Sequence, residues 1–168
     1  MGMGERPVTA KQLIGPAGEH YVLYRLLRFG LTSALAPEGA PEVDILVFPD
    51  VGAPKRIQVK ARANGRAWVM AKKHESITVE DLVYAFVDMS LANPVTYLIP
   101  SQVVAEVVAK SHQVWLATPG KHGQPHKDQG IRSIRASYPH PPPGFPDGWL
   151  EHWQERWDLV GGPPYDRA

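Results

Sequence analysis

The sequence contains no cysteine. This absence excludes disulfide bonds, thiolate metal sites and cysteine nucleophiles. No apolar run approaches the ~20 residues that a membrane-spanning helix needs, and no signal-peptide pattern is visible. There is also no glycine-rich phosphate loop, and no serine stands in a nucleophile-elbow context. We therefore expect a soluble, cytoplasmic protein that does not associate with membranes.

The length and composition fit one folded domain. The chain has 168 residues, of which 43% are hydrophobic, and its formal net charge is +1. That is enough apolar material for a core and argues against general disorder. The charges are unevenly distributed, because every charged residue between positions 53 and 73 is basic, whereas acids outnumber bases between positions 144 and 168.

A basic segment on a nearly neutral chain is typical of phosphate binding. A solvated hairpin edge, kept soluble by lysine and arginine, has the same composition. A polar loop over residues 120–130 adds further cations. It also holds His122 and His126, four residues apart, but the glycine and proline between them make a helical zinc site improbable, and a polar loop is the favoured interpretation. The candidate nucleic-acid-binding residues are Lys55, Arg56, Arg62, Arg66, Lys72, Lys73, Lys121 and Lys127.

Hydrophobic periodicity and turn signals predict a mixed α/β fold, with a sheet flanked by helices. After a loose lead-in of ten residues, a helix is predicted to begin at Gly15-Pro16 and to end near Phe29. Ser101 is predicted to cap a second helix that ends near Leu116. Strands are predicted at 31–36, 43–48, 56–60, 82–89 and 95–99, with a short extended piece at 68–71.

The last thirty residues form a distinct segment, from 139 to 168. Five prolines between Pro139 and Pro146 predict an extended connector. A final helix is then predicted over residues 148–159, capped by Asp147. Its tryptophans recur every four residues, at 149, 153 and 157, which favours one packed helical stripe. The stripe would cover the core or a partner chain, including a second copy in a homodimer; base stacking is the minor alternative.

Three polar residues coincide on a predicted hairpin. A turn near Gly52 would place Asp44 across from Lys60, and Leu46 across from Gln58. Even offsets put Asp44, Gln58 and Lys60 on one sheet face. A carboxylate inside an apolar strand is costly unless it has a metal or a cationic partner, so a structural salt bridge from Asp44 to Lys60 or Arg62 is the alternative. Oxygen donors with a lysine suit metal-dependent phosphodiester hydrolysis.

The order of these residues is specific enough to suggest a family. Asp44, thirteen intervening residues and Gln58-Val59-Lys60, preceded by the helical Glu19, resemble the PD-(D/E)xK, restriction-endonuclease-like nuclease superfamily in a Q-x-K variant. The resemblance implies a restriction-endonuclease-like core within a domain over residues 1–138. It also implies that Asp44, Gln58 and Glu19 bind Mg²⁺ or Mn²⁺, and that Lys60 completes the catalytic set.

Three functions follow from this reading. The first is a metal-dependent endonuclease acting on nucleic acid, with DNA as the favoured substrate. The second is a catalytically inactive nucleic-acid-binding module, because Gln58 is neutral where most members of the superfamily carry a carboxylate. The third is a structural or interaction protein whose tryptophan-striped helix joins another chain.

Overall fold

A computed structural model describes residues 10–90 and 92–164 of the chain, except for the side chains of residues 10 and 11. Most of the predicted lead-in, residues 1–9, lies outside the described residues. The helices are α1 (Ala10–Arg28) and α2 (Ser101–Ala117). The strands are β1 (Thr32–Leu35), β2 (Ile45–Phe48), β3 (Lys55–Arg62), β4 (Trp68–Ala71), β5 (Leu82–Asp88), β6 (Val95–Pro100) and β7 (Ile131–Ile134). Neither helix is long and apolar enough, within this described part, to cross a membrane.

The central sheet has five strands in the order β1-β2-β3-β5-β6. β3 and β5 are parallel, and the other neighbours are antiparallel. A parallel pair needs a crossover connection, and here β4 and a 3-10 turn over Lys72–Glu75 supply it. β4 pairs with β7 in a separate two-stranded sheet. The predicted mixed α/β fold, with a mixed sheet flanked by helices, is confirmed.

The two faces of the central sheet carry separate cores, because side chains alternate along each strand. On the first face, Val22 and Leu26 of α1 pack against Ile57 and Val59 of β3. We call this the α1 face. On the opposite face, which we call the α2 face, aromatic and aliphatic side chains of β5 pack with α2 and β4.

One predicted helix start and one predicted helix cap were wrong. α1 runs through Pro16 and begins at Ala10; the ring of Pro16 fixes a helical φ, and its missing N–H removes one hydrogen bond inside the helix. Ser101 does not cap α2. Its hydroxyl accepts from the N–H of Val79 at 2.7 Å and donates to the Val79 carbonyl at 2.6 Å, so it ties α2 to the segment before β5.

The predicted C-terminal helix is replaced by two short 3-10 turns, Trp149–Trp153 and Trp157–Val160. Between them, Glu155 takes φ +52° and its N–H donates to the Thr96 carbonyl at 2.8 Å. A tertiary hydrogen bond to β6 thus takes the place of a helical one, and the single tryptophan stripe does not form.

Burial of the tail tryptophans is nevertheless confirmed for two of them. Trp149 packs with Leu150 into the core of the α2 face, and Trp157 packs with Val160 into the core of the α1 face. Both rings are therefore covered by their own chain, whereas the predicted homodimer stays a prediction.

Glu155 fastens the tail to the rest of the fold. Its Oε2 accepts from Arg25 Nη2 and from Trp157 Nε1, each at 2.7 Å, and its Oε1 accepts from the N–H of Thr96 at 3.0 Å. The Arg25 guanidinium also lies 5.0 Å from the centroid of the Trp157 ring. One carboxylate thus links α1, β6 and the last 3-10 turn.

We expect Trp157→Ala to lower the free energy of unfolding by about 3–5 kcal/mol, because it leaves a cavity in the core. Urea denaturation measures this loss. Trp115→Ala is the size-matched control, since Trp115 is 42% exposed and Trp157 only 2%. Equal losses in the two variants would contradict a tail that is part of the cooperative core.

Candidate functional site

The ladder between β2 and β3 is short, and β3 continues beyond it. Ile45 pairs with Ile57 and Leu46 with Arg56, whereas β3 extends to Arg62. The predicted register, with Leu46 across from Gln58, was wrong by two residues because the turn centres on Val51. A shift of two preserves the facing of every side chain. Asp44, Gln58 and Lys60 therefore share the α2 face, as predicted.

Asp44 immediately precedes β2, and its side chain makes the hydrogen bond to β3 at the point where the backbone pairing of β2 and β3 ends. Its N–H donates to the Ile57 carbonyl at 2.9 Å, and its Oδ2 accepts from the N–H of Val59 at 2.7 Å. The carboxylate thereby replaces the backbone acceptor that a longer β2 would have supplied to Val59. Its orientation is consequently set by the backbone of β3.

Gln58 is 8% exposed, and its Oε1 is buried without a hydrogen-bond partner in the described part of the chain. Leaving a buried acceptor unpaired costs about 1–3 kcal/mol, so this atom requires an explanation. An amide oxygen is a ligand for hard cations such as Mg²⁺. Its position beside Asp44 on one sheet face fits a cation held by oxygen atoms.

Lys60 and Glu19 interact electrostatically with Asp44 and with each other. Burial lowers the pKa of the Lys60 ammonium, while the carboxylates of Asp44 and Glu19 act in the opposite direction. Burial raises the pKa of the Glu19 carboxyl, and the nearby charge of Asp44 raises it further. The Glu19 carboxyl group thus lies within range of electrostatic interaction with both Asp44 and Lys60.

The delivery of Glu19 depends on Gly18, the residue before it. A Cβ at Gly18 would lie 2.5 Å from Ala61 Cβ, so only glycine lets α1 approach β3 this closely. In the described residues no three histidine, aspartate or glutamate side chains cluster as metal ligands. An ion at this site would therefore need Gln58 Oε1, or water, in addition to the two carboxylates.

Sequence reasoning missed a buried histidine and tyrosine beside the site. Tyr84 is the register partner of Gln58 in the parallel pair of β3 and β5. His74 Nδ1 and the Tyr84 hydroxyl lie 2.8 Å apart in a hydrogen bond. Burial, then the charges of Lys60 and Lys73, lower the pKa of His74 to about 4, and burial raises the pKa of Tyr84. Both side chains are therefore uncharged at neutral pH.

Glu42 lies at the border of the same region. Its carboxylate is 3.6 Å from Lys73 Nζ, and its backbone takes φ +60°, which is uncommon for a residue other than glycine.

The partial alternation of side chains along β5, which includes Tyr84, was visible in the sequence. No local pattern, however, reveals the parallel register that brings Tyr84 beside Gln58.

The basic segment is not one uniform cationic surface. Arg56 makes a two-pronged pair with Asp81, at 2.9 and 2.6 Å. Arg62 is 9% exposed, pairs with Asp88 at 2.5 Å and lies 3.5 Å above the Trp68 ring. Lys72 and Lys73 are exposed but face Asp128 and Glu42. Lys55 is half-buried; the remaining exposed candidates are Arg66, Lys121 and Lys127.

The buried His74 makes stability depend on pH. Its pKa falls from 6.5 to about 4 in the folded protein, so between these values the unfolded chain binds a proton that the folded chain does not. The free energy of unfolding therefore rises with pH across this window. We expect His74→Gln to reduce the rise by up to about 3 kcal/mol, measured by urea denaturation from pH 4 to pH 7.

His122→Gln is the control for this experiment, because that imidazole lies on an exposed loop. The comparison concerns the slope with pH, since the substitution itself changes stability at every pH. A slope that is the same in wild type and His74→Gln would show that His74 is not kept neutral by the fold.

Comparisons with known proteins support the fold. No protein-family model matches the chain, and no curated protein matches it. The solved structure of a bacterial homing endonuclease, I-Ssp6803I, is similar, with a TM-score of 0.52 and 13% sequence identity. The similarity covers 92% of this chain and 93% of that chain. The chain therefore shares the mixed α/β fold of that structure over nearly its whole length.

Proposed function

We propose that this protein is a divalent-metal-dependent nuclease of the PD-(D/E)xK type, with a Q-x-K signature, that hydrolyses phosphodiester bonds in nucleic acid. The observation that carries the proposal is the buried, unpaired Oε1 of Gln58 on the sheet face shared with Asp44 and Lys60. The fold shared with a homing endonuclease supports the same class of chemistry, and DNA is the favoured substrate.

The oxygen donors form the cation site of this proposal. Val59 holds Oδ2 of Asp44, so Oδ1 is the oxygen that we assign to the metal. Gln58 Oε1 and the Glu19 carboxylate complete the protein ligands for Mg²⁺ or Mn²⁺, and water fills the other positions. The bound ion would polarise the scissile phosphate and lower the pKa of a bound water.

Lys60 supplies the positive charge that this chemistry needs beside the ion. Asp44 and Glu19 favour its charged form against the effect of burial. Its ammonium group would orient the attacking water and stabilise the charge that develops on the phosphate oxygens. Partial burial strengthens this effect, because electrostatic interactions are stronger away from bulk water.

Substrate phosphates would contact the cations that are unpaired or held only by a single surface contact, as Lys72 is by Asp128 and Lys73 by Glu42. Arg56 and Arg62 are held by Asp81 and Asp88, and we leave them out of this group. The proposed phosphate contacts are Lys55, Arg66, Lys72, Lys73, Lys121 and Lys127.

We expect DNA cleavage in Mn²⁺ or Mg²⁺ that EDTA abolishes and that Asp44→Ala and Lys60→Ala each reduce by roughly 100-fold or more. Asp44→Ala removes the anionic ligand, whereas Lys60→Ala removes charge stabilisation. Metal binding, measured by calorimetry, should therefore be largely retained in Lys60→Ala. Gln58→Glu should keep or raise metal affinity, because it restores a carboxylate.

Asp50→Ala is the matched control, since Asp50 is an exposed aspartate in the turn of the same hairpin. Wild-type protein that binds DNA but cuts no substrate in Mn²⁺ would favour the inactive binding module. Cleavage that persists unchanged in Asp44→Ala would assign the chemistry to another site.

A further inference from the structure

The structure contains a cavity of about 560 Å³ away from the candidate metal site. The C-terminal half of α2 forms one wall, and β7 with the segment after it forms the other. A volume of this size suits a ligand as large as a nucleotide. None of Glu19, Asp44, Gln58 and Lys60 lines the cavity, so it is not part of the proposed cleavage centre.

The lining contains no aspartate or glutamate, and its side chains that carry or can accept a positive charge are four. They are two arginines, Arg132 and Arg135, and two histidines, His112 and His140. Arg132 is buried and paired with Glu75 and Asp128, whereas Arg135 is exposed. Arg135 is thus the cation that the cavity presents to a ligand, and its guanidinium suits a phosphate group.

An aromatic stack stands beside the cavity. Trp115 is 42% exposed, whereas Trp68, Trp149 and Trp157 are buried. The Trp115 ring lies 4.0 Å from the His126 ring at an interplanar angle of 22°, and 5.3 Å from the His112 ring at 25°. Trp115 and His112 also line the cavity that contains Arg135, and a base in the cavity would stack on the part of this ring system that the imidazoles leave uncovered.

One polar atom in this wall lacks a hydrogen bond. His112 Nε2 is buried and unpaired, and Asp128 Oδ1 lies 3.4 Å from it. Burial and the neighbouring Arg132 lower the pKa of His112, although Asp128 and Glu75 act in the opposite direction, so the ring is uncharged at neutral pH. The imidazole is therefore a neutral polar group in the cavity wall, in addition to the cation Arg135.

We propose that this cavity binds one nucleotide unit, with its base stacked on the ring system of Trp115 and its phosphate held by Arg135. The unit can belong to an unpaired nucleic-acid strand or be a free mononucleotide. As a contact to a strand, the cavity deepens the proposed nuclease function and rests on it; as a site for a free nucleotide, it is independent of cleavage.

Fluorescence titration tests this assignment in EDTA, so that no cleavage occurs. The probes are oligothymidylate, thymidine monophosphate and adenosine monophosphate. We expect quenching of tryptophan fluorescence and binding that Trp115→Ala weakens by about tenfold or more; for this variant, polarisation of a labelled oligonucleotide replaces intrinsic fluorescence. Arg135→Ala should weaken binding and make it less dependent on salt concentration. Arg135→Lys should restore part of the affinity and part of the salt dependence.

Two controls match these variants in chemistry but lie on α1, which packs against the other face of the sheet. Tyr24→Ala removes an aromatic ring that is 56% exposed, and Arg28→Ala removes an exposed arginine. Trp115→Phe keeps a ring for stacking and should bind better than Trp115→Ala. This comparison separates stacking from any loss of folding.

The outcomes distinguish a nucleic-acid strand from a free mononucleotide, and nucleotide binding from cleavage. Binding of oligothymidylate alone supports a strand contact, and binding of a mononucleotide with the same dependence on Trp115 supports a free nucleotide. Nucleotide binding no more sensitive to Trp115→Ala and Arg135→Ala than to the control variants would overturn the assignment. Wild-type protein that binds these probes in EDTA but cuts no DNA in Mn²⁺ would contradict the cleavage proposal alone.

Discussion

The carboxylate of Asp44 accepts the N–H of Val59 where the ladder between β2 and β3 ends. This hydrogen bond satisfies the first free backbone donor of β3, so β2 can stop while β3 continues. Beyond that point the edge of β3 is open to side chains, and Gln58 and Lys60 lie beside it on the α2 face. The arrangement of the candidate site depends on this exchange of a backbone acceptor for a side-chain acceptor.

The helix that brings Glu19 to this edge is held at two places. At its middle, Gly18 lets it approach Ala61 closely. Nearer its end, Arg25 is bound to Glu155 of the tail and lies over Trp157. The C-terminal segment therefore contributes to the site without touching it, because it fixes the position of α1 on the sheet. A change in Glu155 would act on Glu19 only through this helix.

The shared fold does not by itself assign the chemistry, since one fold can host many functions. The assignment depends on polar groups whose burial needs an explanation. Most of these groups have partners within the protein: His74 is hydrogen-bonded to Tyr84, and Arg62 is paired with Asp88. Gln58 Oε1 is not, and it lies where a cation would have carboxylate neighbours.

The sequence by itself determined the facing of Asp44, Gln58 and Lys60, because side chains alternate with a period of two and an even shift of register leaves that facing unchanged. It also determined the mixed α/β class through hydrophobic periodicity. Tertiary structure decided the register itself, the parallel pairing that sets Tyr84 beside Gln58, and the break of the tail at Glu155. These features depend on hydrogen bonds between residues far apart in the chain, such as Glu155 with Thr96, which override local helix propensity.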